Sequence, residues 1–190
     1  MIGVDRMEMK KTKIYRLTLI GVMTAMLCVL GPLSIPIPFS PIPLSLTNFA
    51  VLLTVSVLGW KWGTVSCAVY LLLGAVGVPV FSGFAGGVAK LLGPTGGYLI
   101  GFLFLAVIGG IFMERFEGKR WLVALGMALG MLVDSLFGTV WLAYLMKLDF
   151  AQAFMMGVAP YIVGDLVKLV IAVLLGGTLR RRLKTMRILP

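Results

Sequence analysis

Three charged residues lie inside long apolar stretches of this chain: Asp134, Asp165 and Lys168. A charge inside a membrane is costly, so such residues usually serve a function. Asp165 and Lys168 are three residues apart, and a helix would place both on one face. A carboxylate acceptor beside an ammonium donor can grip a neutral ligand that presents N–H and C=O groups together. The alternative is a structural ion pair that neutralises itself.

The residues around this pair favour a binding site. Tyr161 and Gly164 share the helical stripe of the pair, and Gly164 would let a ligand approach the backbone. A helix that starts at Pro160 places Asp165 about one and a half turns below the outer surface.

Asp134 lies in the middle of a different predicted span, beside Ser135. We predict for Asp134 inward packing with a partner and a local structural role. Two intramembrane aspartates also occur in aspartyl proteases, but the residues before Asp165 lack the Gly-x-Gly-Asp pattern, and Lys168 would keep Asp165 ionised. The chain has no histidine, which excludes His-based catalysis and His metal sites. We therefore predict no catalytic and no metal-binding residue.

A second candidate region is the segment 81–97, which contains six glycines. No Gly-Lys-Ser/Thr sequence follows, so this is not a nucleotide-binding P-loop. It is either a flexible outer loop or a re-entrant loop whose free backbone groups line a cavity. We expect the re-entrant loop, in which Lys90 is the only charge and meets a ligand carboxylate. Its predicted ligand-facing positions are Gly86, Gly87, Gly93, Thr95, Gly96, Gly97 and Tyr98.

The composition shows what must position these residues. Of 190 residues, 60% are hydrophobic and 13% charged, and the mean hydropathy is +1.06. The stretches 17–60, 62–89 and 91–113 carry no charge at all, whereas a membrane-spanning helix needs only about 20 such residues. The chain is predicted to be an all-α membrane protein with one domain, residues 1–190. Cys28 and Cys67 fall inside predicted spans and are interpreted as buried hydrophobic residues.

Prolines, glycines and charges divide the chain into six predicted spans. An extended proline-rich loop, Ser34–Pro43, follows the first span, and Gly59–Gly63 is predicted to be an interfacial turn between the second and third. A short surface helix with Asp149 as its N-cap is expected before the sixth span. The predicted spans are 14–33, 44–58, 64–78, 96–113, 121–146 and 160–179, and the surface helix is 151–157.

The net charge of +10 reflects membrane orientation rather than nucleic-acid binding. Basic residues concentrate in both termini and in alternate short loops, whereas Lys90 and Lys147 alone lie in the other loops. By the positive-inside rule both termini are cytoplasmic, and the proline-rich and glycine-rich loops face outside.

Small residues spaced by four also occur: Gly21 with Ala25, Gly97 with Gly101, and Gly126 with Gly130. Such pairs allow helices to approach closely. Internal packing is the ordinary explanation, and a surface for a partner subunit is the alternative.

Taken in order, four segments resemble the BioY family, the biotin-specific S components of energy-coupling-factor (ECF) vitamin transporters. These segments are 31–43, 77–80, 91–102 and 160–168, and the resemblance runs over nearly the whole chain, in order and at family spacing. The resemblance implies a compact six-helix S component in the plasma membrane of a prokaryote. It also implies three partners besides lipid and biotin: a membrane coupling subunit (T component) and two cytosolic ATPases. Biotin would be the transported ligand, and no cofactor is expected.

The resemblance also assigns roles to particular residues. Asp165 and Lys168 match the Gly-Asp-x-x-Lys motif that holds the ureido ring of biotin. Gly21 and Ala25 match small residues of the first helix that contact the coupling subunit. Further ligand contacts are expected from Phe39 in the proline-rich loop and from Thr47 and Asn48.

The chain departs from the family at several positions, and members often read Leu-Gln-Thr-Phe where residues 46–49 are Leu-Thr-Asn-Phe. Some members have Asn where Ala85 stands and Arg where Leu99 stands, and both are associated with polar contacts to the ligand. Lys90 is therefore our candidate partner for the biotin carboxylate. The alternatives are an S component for thiamine or riboflavin and a lipid-organising protein.

Overall fold

The structure is a computed structural model that describes residues 2–38 and 40–186, with side chains from residue 14 onward. It is mainly helical. Within the described residues, four helical stretches are long and apolar enough to cross a membrane: Thr47–Ala75, Gly96–Arg115, Arg120–Met146 and Phe150–Thr185. A shorter apolar stretch, Ile14–Leu30, belongs to the first helix.

The described elements follow one another in a simple order. They are α1 (Ile2–Leu30), β1 (Ser34–Ile35), β2 (Leu44–Ser45), α2 (Thr47–Ala75), α3 (Val88–Leu91), α4 (Gly96–Arg115), α5 (Arg120–Met146), α6 (Phe150–Gly157), a 3₁₀ turn (Ala159–Tyr161) and α7 (Ile162–Thr185).

The centre of the bundle is α2, which packs against α1, α4 and α7. Every residue from 50 to 59 is buried. Because this helix is covered on all sides, its sequence is apolar around its whole circumference instead of along one stripe. The core continues through α4 and α5, and α6 lies against α5.

The predicted interfacial turn at Gly59–Gly63 is wrong. Instead, α2 is interrupted at one residue, Gly59, where φ is +79°, and it resumes at Trp60. Glycine suits this position because a φ of +79° is strained for other residues, and a Cβ would also displace the Glu114 carboxylate. The backbone N–H of Trp60 donates to Glu114 Oε1 at 3.2 Å. This hydrogen bond satisfies the backbone at the break, so no longer turn is needed.

The predicted surface helix is confirmed as α6, with the Asp149 carboxylate accepting a hydrogen bond from the backbone N–H of Ala151 at 3.2 Å. The next helix starts slightly later than predicted, because Pro160 lies in a 3₁₀ turn that leads into α7. The glycine-rich segment contains a short helix, α3, that was not predicted.

Two of the small-residue pairs serve internal packing. A Cβ at Gly97 would meet Trp141, and one at Gly126 would meet Phe112, so both positions lie in the α4–α5 interface. Gly21 differs, because nothing lies within 4 Å of the position that its Cβ would take. Gly21 and Ala25 are both exposed on α1.

The loops gather at one end of the bundle, which we call the loop end. Antiparallel pairing of β1 with β2 clips the base of the proline-rich loop. The backbone N–H of Gly83 donates to the carbonyl of Pro32 at 3.1 Å and ties the glycine-rich segment to it. The opposite end carries Lys61, Arg115, Arg120 and the basic residues 180–184.

Candidate ligand-binding site

The predicted pair forms an ion pair at the start of α7. Lys168 Nζ lies 3.1 Å from Asp165 Oδ1, and the two side chains are only 13% and 23% exposed. Asn48 reaches the same carboxylate oxygen from α2, with its Nδ2 at 2.6 Å. Because α7 supplies the pair and α2 the amide, the cluster forms only when these helices are packed.

The three N–H groups of Lys168 all have acceptors in the protein. They point to Asp165, to the backbone carbonyl of Ser45 at 2.7 Å and to Asn48 Oδ1 at 3.2 Å. In the described residues Asp165 Oδ2 accepts no hydrogen bond from the protein. This arrangement leaves Asp165 Oδ2 free as a charged acceptor. A ligand carbonyl can take the place of Asn48 Oδ1, the most distant of the three acceptors of Lys168.

A cavity of about 80 Å³ lies beside this cluster, which we call the ligand cavity. The ends of α2 and α6 and the facing sides of α4, α5 and α7 form its walls. The residues that line it are Ile42, Pro43, Ser45, Asn48, Tyr98, Phe102, Asp134, Ser135, Gly157, Val158, Tyr161, Asp165 and Lys168. Five of the predicted contact residues are therefore brought together here: Asn48, Tyr98, Tyr161, Asp165 and Lys168.

Two tyrosines fasten the surroundings of the cavity. Tyr161 donates to the carbonyl of Ile42 and lies 2.9 Å from Ser40 Oγ. Ser40 in turn donates to the carbonyl of Met156 at 2.8 Å. Tyr98 Oη donates to the carbonyl of Gly157 at 3.3 Å. These bonds attach the proline-rich loop to the start of α7 and to α6, and they attach the end of α6 to α4.

Asp134 corrects a sequence prediction. It points inward and is only 7% exposed, as predicted. However, its carboxylate has no hydrogen-bonding partner among the described residues, and Oδ1 is fully buried. The predicted local partner is therefore absent from the part of the chain that the structure describes. Asp134 lines the ligand cavity instead. The only feature of the sequence that pointed to Asp134 was its position in the middle of a predicted span.

The predicted glycine positions of the outer loop do not line this cavity. The backbone N–H of Gly87 donates to the carbonyl of Gly74 at 2.7 Å, and the carbonyl of Gly93 accepts from Trp141 Nε1 at 3.0 Å. A Cβ at Gly86, Gly96 or Gly97 would meet other parts of the protein. Gly86, Gly96 and Gly97 therefore allow close contacts within the protein, and a ligand contact by any of the predicted glycines stays a prediction.

The remaining predicted contacts are also placed outside the lining. Thr47 is buried and lies 3.3 Å from the carbonyl of Gly31. Thr95 is buried, and its hydroxyl has no partner in the described part of the chain. Gly164 lies one residue before Asp165 and faces Leu44 at 4.0 Å. Phe39 lies outside the described residues.

Lys90 lines a separate cavity of about 340 Å³ between the proline-rich loop and the glycine-rich segment, which we call the outer cavity. Pro43 lines both this cavity and the ligand cavity. A third, apolar cavity of about 290 Å³ lies between α5, α6 and α7 and shares Asp165 and Ser135 with the ligand cavity.

A second charged cluster lies at the opposite end of the bundle. Glu117 accepts hydrogen bonds from Arg180 at 3.3 Å and Lys184 at 2.8 Å, and Arg180 also donates to the carbonyl of Val57 at 2.9 Å. Burial works to raise the pKa of the Glu117 carboxyl, but the Lys184 hydrogen bond and the positive charge of Arg180 outweigh it and lower that pKa. This cluster joins the end of α7 to the α4–α5 turn.

No group of three or more His, Cys, Asp and Glu side chains that could hold a metal ion occurs in the part of the chain searched. The polar groups of the ligand cavity are instead suited to hydrogen bonding.

The chain is similar to known proteins over most of its length. The family model described as the BioY family matches residues 7–185. A biotin transporter BioY of Thermotoga maritima is 40% identical over 161 residues, which are 85% of this chain and 93% of that protein. A probable biotin transporter BioY of Pyrococcus horikoshii is 41% identical over 169 residues, 88% of this chain and 98% of that protein.

A solved structure has the same fold. The crystal structure of the S-component for biotin from an ECF-type ABC transporter superposes with a TM-score of 0.84 and 31% sequence identity. The match covers 89% of this chain and 92% of that chain.

Proposed function

Because the chain belongs to the BioY family, we propose that it is the biotin-binding S component of an ECF-type ABC transporter. It is a multi-pass membrane protein and a transporter component, not an enzyme. The observation that carries the proposal is the Asp165–Lys168 pair on the wall of the ligand cavity.

The chemistry of this pair fits the ureido ring of biotin, which has two N–H groups and one C=O. Asp165 Oδ2 accepts one ring N–H, and the Lys168 ammonium donates to the ring carbonyl. Both are charge-assisted hydrogen bonds in a shielded site, which are about twice as strong as neutral ones. The relatives named above are described as biotin transporters, which favours biotin over thiamine or riboflavin.

The biotin tail ends in a carboxylate, which needs a base. In our proposal the tail passes Pro43 into the outer cavity, where Lys90 meets the carboxylate. Thr95 and the glycines of the re-entrant outer loop help to enclose the tail. The solved structure that this chain resembles is an S-component from an ECF-type ABC transporter. We therefore propose a membrane coupling subunit and two cytosolic ATPases as partners, with the exposed Gly21 and Ala25 on α1 as the coupling contact.

The membrane arrangement follows from the charges. The strongly basic end, with residues 180–184, is proposed to face the cytoplasm, and the loop end faces outside. If the two halves of α2 on either side of Gly59 each cross the membrane, the single domain has six spans and both termini in the cytoplasm of a prokaryotic cell.

Mass spectrometry tests the proposal directly. The chain is expressed in cells supplied with biotin, purified in detergent, denatured and analysed for released small molecules. We expect biotin at close to one molecule per chain and much less from the variant Asp165→Asn. Release of another vitamin, or failure of added biotin to bind, would refute the assignment.

A further inference from the structure

The buried carboxylate of Asp134 is not used by the site as proposed above. Its side chain is 7% exposed, it lines the ligand cavity, and none of the described residues donates a hydrogen bond to it. Buried polar atoms in proteins almost always have a partner, so each exception requires an explanation. Lys168 is the only base among the described residues that line this cavity, and it is already engaged by three other acceptors.

The packing around Asp134 holds it against the cavity. On α4, Gly101 faces this residue, and a Cβ at Gly101 would overlap Asp134 Oδ1. Two more residues of α4, Tyr98 and Phe102, line the same cavity. The helices therefore approach closely at the point where the carboxylate lies, and a side chain there has little room to turn away.

The charged pair leaves one ligand group without an acceptor. This inference rests on the proposed function, in which the ligand is a cyclic urea with two N–H groups on opposite sides of one C=O. Asp165 has one free oxygen for one N–H, and Lys168 serves the carbonyl. Asn48 Oδ1 keeps a protein donor in either case, since it accepts from the backbone N–H of Phe49 at 2.9 Å, whereas Asp134 has no donor among the described residues.

We propose that Asp134 accepts the second ring N–H and that the two aspartates together select a cyclic urea with both N–H groups intact. The role does not require a particular charge, because an ionised carboxylate and the carbonyl oxygen of a protonated one both accept hydrogen bonds. An unpaired carboxylate in the free protein is then explained as a group that receives its partner from the ligand.

Two N-methyl isomers of biotin, each lacking one of the ring N–H groups, test this assignment. Affinities for biotin and both isomers are measured by calorimetry with the full chain in detergent, for the unchanged protein, Asp134→Ala and Asp165→Asn. Asp149→Asn is the matched control, because its carboxylate caps α6 outside the cavity. Thermal unfolding confirms that each variant is folded.

We expect Asp134→Ala to weaken biotin at least tenfold and to abolish the preference for biotin over one isomer only. Asp165→Asn should reduce the preference over the other isomer. If Asp134→Ala keeps the full preference over both isomers, Asp134 is not an acceptor and the inference is wrong. If the unchanged chain does not bind biotin, the proposed function itself fails.

A second measurement covers the possibility that Asp134→Ala does not fold. The nearly isosteric Asp134→Asn replaces it, and infrared difference spectra are recorded with and without biotin. The unchanged chain should show a carboxyl band that moves on biotin binding and is missing in Asp134→Asn. If every biotin-induced carboxyl band persists in this variant, Asp134 does not contact the ring.

Discussion

The substitution Asp165→Asn tests the central contact of the site with little change of shape. Asp165 Oδ1 accepts from Asn48 at 2.6 Å and lies 3.1 Å from Lys168 Nζ. An asparagine oxygen can accept both of these bonds, so the α2–α7 connection should remain. What changes is the free oxygen, which becomes an amide NH₂ group that cannot accept a ligand N–H.

The expected loss follows from the kinds of hydrogen bond involved. A hydrogen bond to a charged group contributes about 1.5–3 kcal/mol and a neutral one about 0.5–1.5 kcal/mol. Because the asparagine oxygen stays with Asn48 and Lys168, the ligand N–H loses its charged acceptor, which corresponds to about 1.5–3 kcal/mol. Since about 1.4 kcal/mol is a factor of ten, biotin affinity should fall at least tenfold.

Calorimetric titration of biotin into the purified chain measures this loss. The control Asp149→Asn removes a carboxylate at an N-cap where asparagine is equally suitable, so its affinity should equal that of the unchanged chain. The pair is largely shielded from water, and its contribution should vary little with added salt. Unchanged affinity in a folded Asp165→Asn protein would show that this carboxylate does not bind the ligand.

Three further substitutions have distinct expected outcomes. Lys90→Gln should weaken the binding of biotin but not that of an analogue whose tail ends in an amide. The control Lys147→Gln should change neither affinity. Equal losses for both ligands with Lys90→Gln would contradict the carboxylate contact. Gly97→Val should lower the thermal stability, because the new side chain would overlap Trp141, and an unchanged melting temperature would contradict the packing. Glu117→Gln should also be less stable than the unchanged chain near pH 7. Because the folded pKa of Glu117 is lowered, its stabilisation is present above its ordinary pKa of 4.5 and disappears as the pH falls through the folded value. Melting temperatures of both proteins should therefore converge in acid, and a difference that persists there would show that the charge of Glu117 is not the cause.

The part of the site that was predictable from the sequence depends on local spacing. Asp165 and Lys168 are three residues apart, and the helix periodicity is enough to place them together. Asn48 was expected to contact ligand only through the family resemblance, and its bond to a carboxylate 117 residues away depends on the packing of α2 against α7. The missing partner of Asp134 is a property of the packed helices and has no signature in the sequence.

The contacts of the loops were also beyond what the sequence could predict. Glycines in the segment 81–97 predicted a backbone open to ligand, but in the structure Gly96 and Gly97 make room for other parts of the chain. Glycine composition indicates that something approaches closely, and it cannot distinguish a ligand from a neighbouring helix. The break at Gly59 was predicted in the right place, but its length depended on Glu114, which is distant in sequence.

The arrangement of the cavity bears on selectivity. Asp165 is fixed by Asn48 and Lys168, and Lys168 is fixed by the carbonyl of Ser45, so folding already supplies most of the ordering that binding would otherwise require. The acceptors Asp134 and Asp165 and the donor Lys168 then meet the two N–H donors and the C=O acceptor of a cyclic urea. A ligand that lacks one N–H would leave a buried carboxylate unpaired, which costs about 1–3 kcal/mol. Discrimination therefore arises from what the wrong ligand fails to satisfy, and a site of this kind rejects such a ligand more strongly than an apolar pocket rejects a change of one methylene.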